Sequence, residues 1–80
     1  MKETVFIVNL DTIDKVKEFV SIVSKFNEEV TIKSENYEVD AKSTLALFSL
    51  DITKPLIVCL YSDNSRIEDS FESCIEKFKI

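Results

Sequence analysis

Apolar and polar residues alternate along two short stretches of the chain, and two further stretches are almost continuously apolar and rich in β-branched or aromatic residues; together they predict four β-strands. The predicted strands cover residues 4–10, 29–34, 37–41 and 56–61. The second and third strands are expected to form a hairpin, because Asn36 between them tolerates the positive φ of a tight turn. Pro55 marks the start of the fourth strand, since proline donates no hydrogen bond to a sheet and is typical of a strand boundary.

A 3.6-residue apolar period predicts a first helix over residues 13–26. Asp11 or Thr12 is placed to cap its N-terminus, and Asn27 is expected to end it in a left-handed conformation. The helix is expected to bury one apolar stripe, formed by Ile13, Val16, Phe19, Val20, Val23 and Phe26.

Two further helices are predicted in the second half of the chain. A short helix opens at Ser43, whose hydroxyl is a good N-terminal cap. The last helix begins at Ser65, which is expected to form a capping box with Glu68 three residues later. Its buried stripe is expected to contain Ile67, Phe71, Cys74, Ile75 and Phe78.

The short helix has more apolar sides than it can bury. Leu47 and Leu50, spaced three residues apart, are expected to face the core. Leu45 and Phe48 form a second pair with the same spacing on another side of the helix. A helix of this length cannot bury both sides against one sheet, so one pair is expected near solvent, where it indicates a partner surface.

The predicted order of elements is β-α-β-β-α-β-α. Three helices and one four-stranded antiparallel sheet fit most economically into an α+β open-faced two-layer sandwich, with all helices on one face of the sheet. The chain has 80 residues and is expected to form one domain over residues 1–80. The helices then cover one face of the sheet and leave the other face open.

The amino-acid composition argues against several classes of function. A net charge of −5, from 15 acidic and 10 basic residues, argues against a nucleic-acid partner. No apolar run reaches the ~20 residues that span a bilayer, and no signal peptide is evident, so we expect a cytoplasmic protein without membrane contact. The chain lacks histidine and glycine, and we expect no metal, no other cofactor and no enzymatic activity. Cys59 and Cys74 are expected to be free thiols on different layers, Cys59 outward on a strand and Cys74 inward on a helix.

Residues 42–50, Lys-Ser-Thr-Leu-Ala-Leu-Phe-Ser-Leu, resemble a segment of the histidine-containing phosphocarrier (HPr) family of the sugar phosphotransferase system. Family members carry a Lys-Ser-Ile-Met-Gly-Val-Met-Ser-Leu type segment there. Residues 24–26 and 29–32 also resemble the end of the first helix and the second strand of the family. The resemblance covers nearly the whole chain and implies the HPr-like fold, with phosphotransferase-system proteins as partners.

The sequence differs from the family at the position of the phosphorylated histidine. Family members carry a Gly-Ile-His-Ala-Arg-Pro-Ala segment at the start of the first helix, where residues 10–16 here read Leu-Asp-Thr-Ile-Asp-Lys-Val. Thr12 stands at the histidine position, and a hydroxyl cannot form the phosphoramidate that an imidazole forms. Asp14 stands at the arginine position, where an acid repels a phosphate instead of clamping it. We therefore expect an HPr-like protein without phosphohistidine carrier activity, in which Thr12 caps the helix.

Three residues of the short helix match functional positions of the family. Ser43 matches a serine that a dedicated kinase phosphorylates in members from low-GC Gram-positive bacteria, and Lys42 beside it would add a cation. The alternative role of Ser43 is a simple cap. Leu45 and Phe48 match apolar positions that dock phosphotransferase partners, and their alternative role is packing against the first helix. Two hypotheses follow: a regulatory protein-interaction module, or a phosphoacceptor modified at Ser43 or, with an altered acceptor, at Thr12.

The HPr-like fold makes the first and last strands neighbours, which implies an apolar patch on the open face of the sheet. If five residues of these strands point at the helices, namely Phe6, Val8, Leu56, Val58 and Leu60, then five others point outward: Val5, Ile7, Ile57, Cys59 and Tyr61. A monomer rarely leaves a large apolar patch bare, so we expect a homodimer or another protein contact there. The alternative is the opposite phasing of one strand, which would bury part of this set.

Overall fold

The structure is a computed structural model that describes residues 2–35 and 37–80. Four strands form one antiparallel sheet in the order β1-β4-β2-β3. They are β1 (Glu3–Val8), β2 (Glu29–Lys33), β3 (Glu38–Asp40) and β4 (Leu56–Tyr61). The first and last strands are therefore neighbours, as expected. Asn36, the predicted turn residue between β2 and β3, lies outside the described residues.

Three helices pack on one face of this sheet, and the predicted order of elements is confirmed. The helices are α1 (Ile13–Val23), α2 (Thr44–Leu47) and α3 (Ser65–Cys74), and a 3-10 turn follows at Glu76–Phe78. Each helix contributes to a single buried cluster, through Val16, Leu47 and Phe71 respectively. The same cluster contains the inward residues of the strands, which are Phe6, Val8, Val30, Ile32, Leu56, Val58 and Leu60. The helices and the inner face of the sheet therefore share one core.

Aromatic rings connect the sheet to the helices inside this core. The Phe71 ring of α3 lies 5.6 Å from the Phe6 ring of β1 and 5.1 Å from the Phe26 ring, measured between centroids. A second pair joins Phe19 of α1 to Phe78 of the 3-10 turn, edge to face at 5.6 Å. Such tilted and edge-to-face pairs are favourable beyond the area that they bury. Phe71 is fully buried and contacts both the sheet and the segment that follows α1.

Residues 78–80 pair with the outer edge of β1. The sequence pattern did not indicate this pairing. Val8 and Lys79 form an antiparallel bridge. Asn9 N donates to the Phe78 carbonyl at 2.8 Å, and Ile80 N donates to the Ile7 carbonyl at 3.2 Å. These bonds cover part of an edge that would otherwise present unpaired backbone groups.

Helix α1 differs from its prediction at both ends. Ile13 is 58% exposed, so its placement in the buried stripe is wrong. It is the first residue of the helix, nearly one turn before the first buried residue, Val16. The helix ends at Val23, although Phe26 still packs against the core. The left-handed stop at Asn27 is also wrong, because no residue in the described ranges has a positive φ.

Helix α3 starts with a different cap from the one predicted. The Asn64 side chain accepts from Arg66 N at 2.9 Å and from Ile67 N at 3.4 Å, so the Ser65 capping box is wrong. Cys74 is exposed, not inward, because Ile75 takes the buried position one turn after Phe71. Both cysteines are free thiols.

Candidate functional site

Thr12, the residue at the predicted histidine position, lies directly before the first residue of α1. Its side-chain hydroxyl accepts a hydrogen bond from Lys15 N at 3.1 Å, and its carbonyl accepts from Val16 N at the same distance. Thr12 therefore caps the helix, as predicted, and satisfies donors that are otherwise left without an intrahelical partner. The hydroxyl is exposed but already engaged in this structural role.

Two carboxylates make the same helix end unfavourable for an anion. Asp14 is exposed in the first turn. Asp11 is also exposed and forms an ion pair with Lys15, with 3.1 Å between Lys15 Nζ and Asp11 Oδ1. The nearby amine is therefore already partnered by an acid. A helix N-terminus attracts anions through its free N–H groups and its dipole, but here aspartates supply the negative charge.

Ser43 precedes α2 and acts as its N-cap, as predicted. The Ser43 hydroxyl accepts from Ala46 N at 3.2 Å. Lys42, expected to place a cation beside this serine, directs its amine elsewhere. Lys42 Nζ donates to the Phe26 carbonyl at 2.5 Å and so ties the entry of α2 to the segment that follows α1.

The apolar side chains of the α2 segment divide as predicted into a buried pair and an exposed pair. Leu47 and Leu50 belong to the core. Leu45 is 85% exposed and Phe48 is 40% exposed, so the alternative of packing both against α1 is wrong. Exposed Ile13 lies on α1, which contacts α2. The sequence pattern missed Ile13 as a surface residue, since the apolar period alone placed it inside.

The open face of the sheet carries fewer exposed apolar residues than predicted. Val5 and Ile7 point outward and are exposed, while Ile57, directly opposite Ile7, is half-buried. The placement of Cys59 in an exposed patch is wrong, because Cys59 is fully buried. It lies on the inner strand β4, between Val5 of β1 and Thr31 of β2. Apart from Cys59 and Tyr61, the predicted patch consists of Val5, Ile7 and Ile57, which we call the apolar row.

Burial changes the chemistry of the Cys59 thiol. It raises the pKa of Cys59 above its ordinary value, and the nearby Glu3 carboxylate raises it further. The positive charge of Lys33 acts in the opposite direction but does not reverse the shift. A buried thiol with a raised pKa is a poor nucleophile and a poor metal ligand.

Tyr61, the fifth predicted residue of the open face, is half-buried and binds carboxylates. Its hydroxyl lies 3.1 Å from Glu3 Oε2 and 3.4 Å from Glu38 Oε2. A hydrogen bond with Thr31 acts to lower the pKa of Tyr61. Desolvation and the carboxylates of Glu3 and Glu38 outweigh this effect and raise the pKa above its usual value. The hydroxyl therefore stays protonated and donates to an acidic cluster.

A groove of about 640 Å³ runs beside this cluster. Its acidic lining residues are Glu28, Glu29, Glu38 and Asp40.

Within residues 2–35 and 37–80, no three histidine, cysteine or acidic side chains form a group that could hold a metal ion. Among the helices in the part of the chain that the structure describes, none is long and apolar enough to cross a membrane.

A model of the phosphorylation site of the phosphotransferase-system HPr component matches residues 14–77. The chain belongs to the HPr family. Proteins of this family are phosphocarriers rather than enzymes, and they interact with other components of the phosphotransferase system. The matched region begins downstream of Thr12 and includes the whole of α2. No curated protein sequence matches the chain significantly.

Two solved HPr structures share the fold. HPr-C-His from Thermoanaerobacter tengcongensis superposes with a TM-score of 0.72 at 23% identity, over 96% of this chain and 93% of that one. A phosphocarrier protein HPr from Bacillus anthracis str. Ames gives a TM-score of 0.70 at 17% identity, over 92% of this chain and 98% of that one. These likenesses establish the open-faced architecture predicted from the sequence, at identities too low to transfer a site.

Proposed function

We propose that this HPr-family protein acts through protein contacts at α2 and does not carry a phosphoryl group at the histidine position. The observation that supports it is the contrast between two parts of the family's surface, the docking positions and the histidine position. Leu45 and Phe48, which match the family's docking positions, are exposed as a docking surface requires. Thr12, at the histidine position, is a helix cap in a chain without histidine. We call Leu45 and Phe48 the docking pair.

The chemistry at Thr12 supports the same proposal. A phosphoryl group on a threonine hydroxyl is an ester, which lacks the high-energy nitrogen linkage needed for onward transfer. Phosphorylation would also take the hydroxyl away from Lys15 N, which it now caps. Asp14 and Asp11 would lie close to the incoming phosphate and repel it. A protein with this arrangement is suited to regulate by occupying a carrier's partner.

Competition with an active carrier tests this proposal. In excess, the chain is expected to slow phosphoryl transfer from the phosphotransferase first enzyme to a histidine-bearing HPr, because both proteins would dock through the same surface. A double variant, Leu45→Asp with Phe48→Asp, is expected to lose this inhibition, since charges in an apolar contact oppose docking. Inhibition assays with labelled phosphoenolpyruvate measure the effect.

The matched control changes charge without touching the docking pair. Asp69 of α3 and Tyr37 beside β3 are both exposed, so Asp69→Asn and Tyr37→Asp are expected to inhibit like the native chain. Absence of inhibition by the native chain, or equal inhibition by the double variant, would contradict docking at α2.

The second candidate function is that of a phosphoacceptor modified at Ser43. The observation that favours it is the match of residues 14–77 to the family model, which includes the serine segment. Against it, Lys42 binds the Phe26 carbonyl and Ser43 already caps α2. A phosphate on Ser43 would still find free N–H groups at the helix start.

A measurement of the intact mass of the chain distinguishes the two functions. The chain is first incubated with the family's serine kinase and ATP. Under the first proposal the mass stays unchanged, because the hydroxyl is half-buried and Thr44 and Ala46 replace the isoleucine and glycine of the family segment. A gain of about 80 Da that Ser43→Ala abolishes would instead establish the second function. Ser49→Ala, which removes an exposed hydroxyl of the same segment, is the control.

A further inference from the structure

The open face of the sheet has an apolar side and an acidic side. On the apolar side, Val5 and Ile7 of β1 are 53% and 51% exposed, and Ile57 of β4 lies directly opposite Ile7. Ile80 lies beside Ile7, to which its backbone is hydrogen-bonded, and it is exposed as well. The apolar row is therefore continuous across the two strands.

The acidic side lies on β2 and β3 and reaches β1 at Glu3, which is opposite Tyr61. By register, the outward charged residues of the strands are Glu3, Glu29, Lys33, Glu38 and Asp40. Four of these five are carboxylates. Glu3 and Glu38 converge on the Tyr61 hydroxyl, whose single hydrogen serves only one of them at a time. The face therefore carries an excess of negative charge beside an exposed apolar row.

This distribution argues against a second copy of the chain as the occupant. A two-fold contact through the open face would bring the carboxylates of two copies into one interface, and the whole chain carries a net charge of −5. Like charges placed across an interface cost several kcal/mol. A partner with basic residues gains from the same charges, so the homodimer expected on this face is disfavoured.

The edges of the sheet argue against an added β-strand. Edge strand β3 has only three residues, and the Asp40 carbonyl already accepts from Ser43 N at 3.1 Å. The opposite edge, β1, is partly paired with the last residues. A helix needs no backbone edge. With a diameter of about 10 Å, it fits across four strands spaced about 4.8 Å apart.

We propose that the open face binds a basic amphipathic α-helix of a partner protein. The apolar stripe of that helix packs on the apolar row, and lysine or arginine residues on its flank meet Glu3, Glu29 and Glu38. This mode is the helix-on-apolar-surface recognition that amphipathic helices use elsewhere. Because the helices of the chain pack on the opposite face of the sheet, this surface is separate from the docking pair and available at the same time.

A synthetic peptide of known pattern is the probe. It has about 18 residues, five helical turns, with leucines along one stripe and lysines on the flanks. A matched peptide has glutamates in place of the lysines. In fluorescence anisotropy with the full chain at low salt, the lysine peptide is expected to bind and the glutamate peptide is not. Raising the salt concentration is expected to weaken the binding, because exposed charges are screened.

Three variants locate the binding. Glu38→Lys and Ile7→Thr are each expected to weaken the lysine peptide about tenfold, by reversing a charge and by reducing the apolar row. Asp69→Lys makes the same charge change on α3 and is expected to bind like the native chain. Circular dichroism checks that each variant is folded. Peptide-induced shifts of backbone NMR signals are expected in β1 and β4, and not in α2.

Several results would overturn the proposal. Failure of the lysine peptide to bind the native chain would do so directly. Equal weakening by Glu38→Lys and Asp69→Lys would indicate attraction by net charge without a site. Loss of binding in the Leu45→Asp, Phe48→Asp variant would assign the peptide to the docking pair. Concentration-dependent dimers in sedimentation that Ile7→Thr abolishes would assign the open face to a second copy.

Discussion

Replacing Phe71 with alanine is expected to lower the free energy of unfolding by about 3–5 kcal/mol. The ring is fully buried, and its centroid lies 5.6 Å from that of Phe6 and 5.1 Å from that of Phe26, so its removal leaves a cavity at the junction of α3, the sheet and the segment that follows α1. A domain of this size has a total stability of about 4–12 kcal/mol. The variant is therefore expected to be close to unfolding at room temperature.

Urea denaturation followed by circular dichroism measures this loss, and thermal denaturation is expected to show a drop in Tm of about 12 °C or more. Phe48→Ala is the matched control, because it deletes the same atoms from a partly exposed ring of α2 and is expected to cost about 1 kcal/mol. Equal losses in the two variants would mean that Phe71 does not hold the core together as the structure indicates.

The inner face of β2 was predictable because its apolar and polar residues alternate, and this two-residue period identifies the side of a strand directly. Val30 and Ile32 point inward and are buried, since an apolar side chain on the other side would be exposed to water. Strand β4 is apolar on both sides, so its sequence left two phasings open, and the structure buries Leu56, Val58 and Leu60 against the helices. In the short helix, the three-residue spacing of Leu47 and Leu50 placed them inside and left the other apolar pair, Leu45 and Phe48, near solvent.

The outer face was less predictable, because periodicity gives the side on which a residue lies and not what covers it. Cys59 points to the open face as predicted, yet it is buried between Val5 and Thr31, its neighbours in the adjacent strands. The contact of Tyr61 with Glu3 and Glu38 depends on residues from three different strands. These neighbours depend on sheet order and register, which pair residues far apart in the sequence.

Helix ends were the other source of error. Ser65 and Asn64 are both good caps, and the local pattern does not choose between adjacent residues. The chain begins the helix one residue earlier than a Ser65 cap requires. Glu68 is then turned toward the sheet, where it accepts from Thr4 at 3.0 Å and pairs with Lys2 at 3.2 Å. At the candidate site the pattern left Asp11 and Thr12 open as caps of α1, and Thr12 is the one that caps, while Ser43 caps α2 as predicted.

The largest functional effect is expected from restoring the two residues that the family has at the start of α1. The native chain is expected to gain no phosphoryl group from phosphoenolpyruvate and the phosphotransferase first enzyme. The double variant Thr12→His, Asp14→Arg is expected to gain about 80 Da in intact mass. The imidazole supplies the nucleophile, the guanidinium clamps the phosphate, and the helix N-terminus adds its N–H groups.

Acid treatment and two control variants make this result specific. The adduct is expected to be lost in acid, because phosphoramidates hydrolyse there and hydroxyl esters do not. Thr12→His alone is expected to gain much less, since Asp14 still repels the phosphate. Adding Leu45→Asp and Phe48→Asp to the restored variant is expected to abolish the gain by removing the docking pair. Loss of the Thr12 cap costs about 1 kcal/mol, so circular dichroism must show that each variant is folded.

The restored variant separates missing chemistry from missing recognition. A gain only after restoration means that the chain still docks to the first enzyme and lacks the acceptor, as the exposed docking pair and the capped Thr12 together indicate. An acid-stable gain on the native chain would contradict the non-carrier proposal, because a hydroxyl would then be the acceptor. Failure of the restored variant, beside full conversion of an active HPr, would mean that the α2 surface meets a partner other than the first enzyme.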